Sequence, residues 1–297
     1  MTAALPISST PTLSTPAGLP SAILCQRLSN PSSEARAVRQ AGLMLDLPVQ
    51  MVGIDQLVDQ PAFFKGMLAS GALPVGSVEF LRTAMEVAGI REPEPMSYPP
   101  ALRPFLGRWL QSMPVGRVQG TWFVKPTQTK LFTGFVWHAS RDQMAAAESG
   151  IYGEHDAEQL RVLQALPPET PVWVAEPVHF LCEWRYYVLE HQVIGAARYD
   201  ADGLDAAPEP DTHVLKAAIA AMQRKGRGEC VQPTAYALDL GVLPNGQTVL
   251  VEANDAWALG LYGGGPAPRP YLTMLTARWS QLMRLGAADC EEARRAA

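Results

Sequence analysis

The sequence predicts an α/β protein of the α+β kind, with an N-terminal α/β lobe followed by a β-rich region, and three observations carry that reading. Short apolar runs alternate with amphipathic stretches from Ala22 to Ile90. Segments rich in β-branched and aromatic residues then recur from Thr121 to Ala253. A Pro-rich connector, EPEPMSYPPALRPF, lies between the two patterns.

In chain order, residues 1 to 20 are rich in Pro, Ser and Thr and read as a disordered tail. They lack the charged start and sustained apolar core of a signal peptide or membrane anchor. AILCQ and PVQMVG read as strands, with SSEARAVRQAGLML between them as a helix that starts at a serine cap. SVEFLRTAMEVAGI places Val78, Leu81, Met85 and Ala88 at helical spacing behind Ser77 as a cap. The connector sets a domain boundary near residues 92 to 104, giving a lobe over 21–98 and a second unit over 99–285. TWFVKPTQTKLFTGFVW reads as two β-runs joined by a polar loop carrying Lys125 and Lys130, and PVWVAEPVHFLCEWRYYVLEHQVIGAARY as three strands. AYALDLGVLPNGQTVLVEAND reads as a hairpin, followed by a Gly-rich loop. The helix after that loop has Leu272, Leu275, Trp279 and Leu282 at core spacing, and residues 286–297 form a polar tail.

Composition narrows the function classes. A net charge of −5 argues against non-specific nucleic-acid binding, which normally shows a basic excess. No acid occurs between Glu94 and Asp142. Arg103, Arg108, Arg117, Lys125, Lys130 and Arg141 give that stretch +6 and leave −11 for the remainder, so a small anionic ligand is indicated. The four cysteines make no C-x-x-C pair, which points to neither a disulfide framework nor a zinc site and favours a reducing cytoplasm. Oligomeric state is not legible.

The hairpin holds the densest chemistry. Asn245-Gly246 is the turn dipeptide, and a loop of two or four residues sets Asp239 directly opposite Glu252. Alternation then puts Leu238, Leu240, Val242, Val249 and Val251 on an apolar face. Ala237, Asp239, Gly241, Glu252 and Asn254 share the other. Opposed like charges cost roughly 0.2 to 1 kcal/mol on a sheet, and a divalent cation held by two carboxylates and an amide would offset that cost. A solvated hairpin face is the plainer reading. Lys125 and Lys130 suit a triphosphate, or are simply surface lysines. Glu176, Glu183, Arg185 and Arg198 interrupt apolar strands. Glu183 and Arg185 form a surface pair, or Glu176 and the backbone at Val178 meet an adenine edge while Glu183 meets ribose hydroxyls.

These pieces resemble the ATP-grasp superfamily over roughly Tyr98 to Met283. Asp239, Glu252 and Asn254 look like its magnesium-binding strand pair, FVKP like its lysine-bearing strand, and VAEPVHF with EWRYYV like its adenine hinge and ribose-binding acid. YPPALRPFLGR, LFTGFV, EWRYYV, YALDLGVL and VEANDAWALGLYG look most like the R-two-K clade. The resemblance implies an ATP-grasp fold whose two β-rich lobes sandwich the nucleotide, and ATP and Mg²⁺ as cofactors, held by Lys125, Lys130, Glu176, Val178 and Glu183 and by Asp239, Glu252 and Asn254. It also implies a ligase joining a small-molecule, peptide or protein carboxylate to an amine through an acylphosphate, with Lys130, Arg185 and Arg198 as catalytic groups. A phosphotransferase and a catalytically silent nucleotide-binding module are the alternatives. Asp255 is expected beside the metal ligands.

Overall fold

The computed structural model describes residues 18–129, 131–139, 152–200, 208–223 and 232–296, with side chains described up to residue 288. Most of the predicted tail, Lys130 and Arg141 lie outside the described residues.

The N-terminal part is a three-stranded parallel sheet, ordered β2-β1-β3, built from β1 (Ile23–Gln26), β2 (Val49–Val52) and β3 (Leu73–Val75). Parallel pairing demands crossover helices. They are α1 (Ser33–Met44) between β1 and β2, and α2 (Ile54–Asp59) with α3 (Pro61–Ala69) between β2 and β3; α4 (Val78–Ala88) follows β3. All four residues of β1 are buried, as expected of a central strand covered on both faces. Both predicted caps form. Ser32 Oγ accepts from Ala35 N at 3.3 Å, Ser77 Oγ accepts from Phe80 N at 3.3 Å, and Gly89 ends α4 in the left-handed region at φ +75°.

Two four-stranded antiparallel sheets follow. One, ordered β4-β7-β5-β6, comprises β4 (Leu110–Pro114), β5 (Gly120–Pro126), β6 (Phe135–Ala139) and β7 (Pro171–Ala175), with α5 (Glu154–Gln164) between β6 and β7. The other, ordered β11-β10-β8-β9, comprises β8 (Cys182–Leu189), β9 (Gln192–Arg198), β10 (Ala235–Val242) and β11 (Thr248–Asp255), with α6 (Thr212–Gln223) between β9 and β10. The chain ends in α7 (Pro268–Ala296), whose Leu272, Leu275, Trp279 and Leu282 are buried as their spacing predicts. The residues read as a polar tail from 286 continue this helix. No described helix is long and apolar enough to cross a membrane.

The connector is structural. Its Pro100–Phe105 segment is a 3₁₀ turn, and Ser97 O accepts from Ala253 N at 2.9 Å, so the segment covers the free edge of β11. Arg108 covers the next stretch of that edge, donating from Nη1 to Leu250 O at 2.7 Å and from Nη2 to Val251 O at 3.0 Å.

Close packing fixes where the Gly-rich segment returns over β9. A Cβ on Gly195 would lie 2.6 Å from Pro266 N, a backbone atom that cannot swing aside, whereas one on Gly66, in α3, would meet nothing within 4 Å. Gly195→Ala should therefore lower unfolding free energy by about 1–3 kcal/mol, and Gly66→Ala should raise it by about 0.5–1 kcal/mol. Urea unfolding measures both.

Candidate functional site

The hairpin reaches the predicted alignment by another route. Leu243 N donates to Gln247 O at 2.9 Å and Gly246 N to Leu243 O at 2.8 Å, with Gly246 at φ +82°, so the loop holds three residues rather than two or four. Its register pairs Leu240 with Leu250. A bulge then inserts Val251, and beyond it Asp239 faces Glu252 and Ala237 faces Asn254. The expected apolar face is corrected accordingly. Leu238, Leu240, Leu250 and Ala253 enter the core, while Val251 lines a cleft instead.

That cleft has a volume of ≈ 600 Å³ and lies between the two antiparallel sheets. Lys125 and Phe123 enter from β5, Glu183 and Arg185 from β8, Glu252 and Asn254 from β11, and Glu176 and Val178 from the segment after β7. Seven of the predicted site residues are thus brought together. Asp239 lies just behind them, fully buried, and Asn254 Nδ2 bridges to Asp239 Oδ2 at 3.1 Å and to Glu252 Oε1 at 3.0 Å.

Cations already face both acids. Arg185, opposite Asp239 on β8, donates from Nε to Oδ1 at 2.8 Å and from Nη2 to Oδ2 at 2.6 Å, while Lys125 forms an ion pair with Glu252. Arg185 pairs with Asp239 rather than with Glu183, and this fork was not legible in the sequence. Burial works against the guanidinium charge, but the hydrogen bond and charge of Asp239 outweigh it and hold Arg185 above its ordinary pKa. Burial pulls the Lys125 ammonium down to about 8, with Asp239 opposing and Arg185 and Arg108 adding to the fall. The Arg185 Cζ sits 4.9 Å from the Tyr262 ring centroid and 5.6 Å from that of Tyr199, and those two rings stack at 4.8 Å. Tyr187 Oη donates to Gly260 O at 3.0 Å and accepts from Tyr262 N at 3.0 Å. The Gly-rich loop is therefore pinned to the cleft wall by Tyr187.

Burial raises the Glu183 carboxyl, opposed by the hydrogen bond from Tyr199 Oη at 2.8 Å. Glu176 Oε2 accepts from Trp109 N at 2.8 Å. Arg198 is not brought to the cleft. It pairs across the ladder with Trp184, one residue out of phase with Arg185, and its guanidinium grips Asp200 at 2.7 and 2.8 Å. Asp255 lines the cleft beside Glu252 and Asn254 as expected, and Arg278 of α7 holds its carboxylate at 2.7 and 2.5 Å. Lys130 lies outside the described residues. Sequence reasoning missed Arg108 as a cleft residue, along with Tyr98, Tyr199 and Tyr262. For Arg108 the only signal was its place in the acid-free stretch. Among the described residues no group of three or more His, Cys, Asp or Glu side chains gathers, so the set remains two carboxylates and an amide.

The model of the ATP-grasp domain of the R-two-K clade, family 2, matches residues 105–272. No curated protein sequence matches the chain significantly. Among solved structures, D-alanine–D-alanine ligase from Bacillus anthracis complexed with ATP is similar at TM-score 0.51 and 12% identity, covering 90% of this chain and 99% of that one. D-cycloserine synthetase DcsG is similar at TM-score 0.51 and 13% identity, covering 88% and 99%. N5-carboxyaminoimidazole synthetase from Staphylococcus aureus follows at TM-score 0.51 and 8% identity, covering 89% and 79%. At such identities the likeness is one of fold, and the match over residues 105–272 places this chain in family 2 of the R-two-K clade of ATP-grasp domains.

Proposed function

We propose that the protein is an ATP- and magnesium-dependent ligase that joins a carboxylate to an amine through an acylphosphate, releasing ADP and phosphate. The observation that carries this reading is the convergence of Glu252, Asn254 and Lys125 on one cleft, with Asp239 buried just behind them. The donor set fits the metal, since Mg²⁺ takes hard oxygen ligands from one or two carboxylates and completes its shell with phosphate and water. A cleft of ≈ 600 Å³ lies within the range of small-molecule and cofactor sites. D-alanine–D-alanine ligase, a neighbour of this fold, was solved with ATP, which supports a nucleotide at the corresponding place.

Glu252 and Asn254 would hold the metal with Asp239 behind them, and the ion supplies charge neutralisation at the β and γ phosphates. Lys125 and Arg108 add positive charge to the lining of the same cleft. Glu176 and the backbone at Val178 suit the adenine edge, and Glu183, steadied by Tyr199, suits the ribose hydroxyls. A substrate carboxylate oxygen attacks the γ phosphorus and ADP departs. The amine nitrogen then attacks the acyl carbon, phosphate departs, and the amine's proton is released. Because the Arg185 fork is filled by Asp239, Arg185 orients that acid rather than clamping the acceptor carboxylate. Catalysis on this reading is positioning and electrostatics.

One observation favours a second reading. Lys125 and Arg185 already neutralise Glu252 and Asp239, which would also suit a silent nucleotide-binding module. Product analysis separates the two. Purified protein given Mg-ATP with mixed carboxylates and amines should release ADP and phosphate in equal amounts, and EDTA should abolish release. A phosphorylated product instead would establish a phosphotransferase, and nucleotide binding without turnover the silent module.

Two substitutions should behave differently. Glu252→Gln should lower kcat by about 10²-fold or more with little loss of stability, because Glu252 is partly exposed. Asp239→Asn should lose turnover and also cost roughly 3–5 kcal/mol, since it strands the buried Arg185 charge. Steady-state kinetics and chemical denaturation together check this. Equal stability losses in both would contradict it.

A further inference from the structure

One buried chain of polar side chains runs from α7 to both strands of the hairpin that bears Asp239 and Glu252, and the chemistry proposed above does not use it. Arg278 and Gln281 lie one turn apart on α7 and are 3% and 6% exposed, although the same helix sends Leu272, Leu275, Trp279 and Leu282 into the apolar core. Arg278 Nε and Nη2 donate to the two carboxylate oxygens of Asp255 at 2.7 and 2.5 Å, and its Nη1 donates to Gln281 Oε1 at 2.6 Å. Gln281 Oε1 also accepts from Thr234 N at 2.8 Å, and Gln281 Nε2 donates to Gln232 O at 2.8 Å. A desolvated guanidinium is costly unless its donors are met, and here Nε, Nη1 and Nη2 each have an acceptor.

Both ends of this chain bear on the site. Asp255 closes β11 directly after Asn254, and its Oδ1 also accepts from Trp257 N at 3.1 Å, capping the short 3₁₀ turn Ala256–Ala258 that leads into the Gly-rich segment. Thr234 directly precedes β10, the strand that carries Asp239. One helix thus grips both strands on which Asp239, Glu252 and Asn254 stand. The grip matters most at Asn254. Its Nδ2 is committed to Asp239 and Glu252, which leaves Oδ1 as the oxygen it can offer a cation. Mg²⁺ demands near-ideal octahedral geometry, so a small shift of that oxygen weakens binding.

We propose that Arg278 is a positioning residue of the metal site: its fork on Asp255 fixes the end of β11 and thereby the Asn254 oxygen, although Arg278 itself does not line the cleft. This assignment rests on the metal-dependent reading above and adds to it a residue that acts through another. Groups that orient metal ligands typically change metal affinity by about 10- to 100-fold when lost. Charge alone predicts the opposite sign. Removing a cation from near the site would strengthen its attraction for a divalent ion, whereas loss of the fork weakens it.

Binding of Mn²⁺ to the full chain with a non-hydrolysable ATP analogue, followed by the electron paramagnetic resonance of the free ion, tests this without turnover. The double variant Arg278→Gln, Asp255→Asn leaves the net charge unchanged, strands no buried charge and removes the fork. It should bind Mn²⁺ more weakly than the wild type by about tenfold or more. Arg278→Lys keeps the charge but not the two-point grip and should also bind more weakly, so the test stands even if the double variant does not fold. Thr276→Ala removes another buried hydrogen bond of α7, from Oγ1 to Leu272 O at 2.8 Å, and should lower stability with Mn²⁺ affinity unchanged. The proposal is overturned if the folded fork variants bind Mn²⁺ as the wild type does, or if Thr276→Ala weakens binding as much as they do. Those results leave the metal-dependent reading standing. A wild type that binds no Mn²⁺ with the nucleotide overturns that reading and the role of Arg278 together.

Discussion

The buried fork between Arg185 and Asp239 is the constraint on which the site depends. An ionised carboxylate with no solvent exposure is costly unless its charge is met and its lone pairs are filled, and here both oxygens accept from one guanidinium. That pairing ties β8 to β10 through side chains as well as through the ladder. It sets Asn254 to bridge Asp239 and Glu252, and it gives Tyr199 and Tyr262 a cation to stack against. The Tyr262 ring over Arg185 adds to the Tyr187 hydrogen bonds that hold the Gly-rich loop against the cleft.

The same cluster explains how opposed acids coexist on one hairpin. Arg185 and Lys125 serve as the cations that Asp239 and Glu252 require. Their energetic roles differ. The Arg185 pair is buried and bidentate, so losing one partner is expensive, whereas Lys125 and Glu252 both keep some solvent contact and can separate at smaller cost. A lysine whose ammonium is weakened by burial is the member best placed to exchange a carboxylate for a phosphate.

Much of this architecture was legible in the sequence because period and capping are local. Ser32, Ser77, the alternation along β8 and the spacing in α7 each follow from residues within one or two turns. The Asp239–Glu252 apposition was also legible, although the route was not. An odd loop and a one-residue bulge cancel, and neither leaves a distinct composition signal beyond Asn245-Gly246. Arg198 misled because its type suits an acceptor site, yet strand parity set it one residue out of phase with Arg185. The covering of the β11 edge by Arg108 and Ser97 spans more than a hundred residues of chain, which no local pattern encodes. Asp255 was claimed by Arg278 of a helix that begins after the Gly-rich loop, a tertiary choice that local spacing does not reveal.

The most direct measurement is a crystal structure of the wild-type protein with Mn²⁺ and a non-hydrolysable ATP analogue, using anomalous scattering to locate the metal. The account predicts a manganese peak within coordination distance of Glu252 and Asn254, with Lys125 released from Glu252 and the Arg185–Asp239 fork retained. A nucleotide bound in the cleft with manganese coordinated elsewhere, or with Lys125 still paired to Glu252, would contradict it.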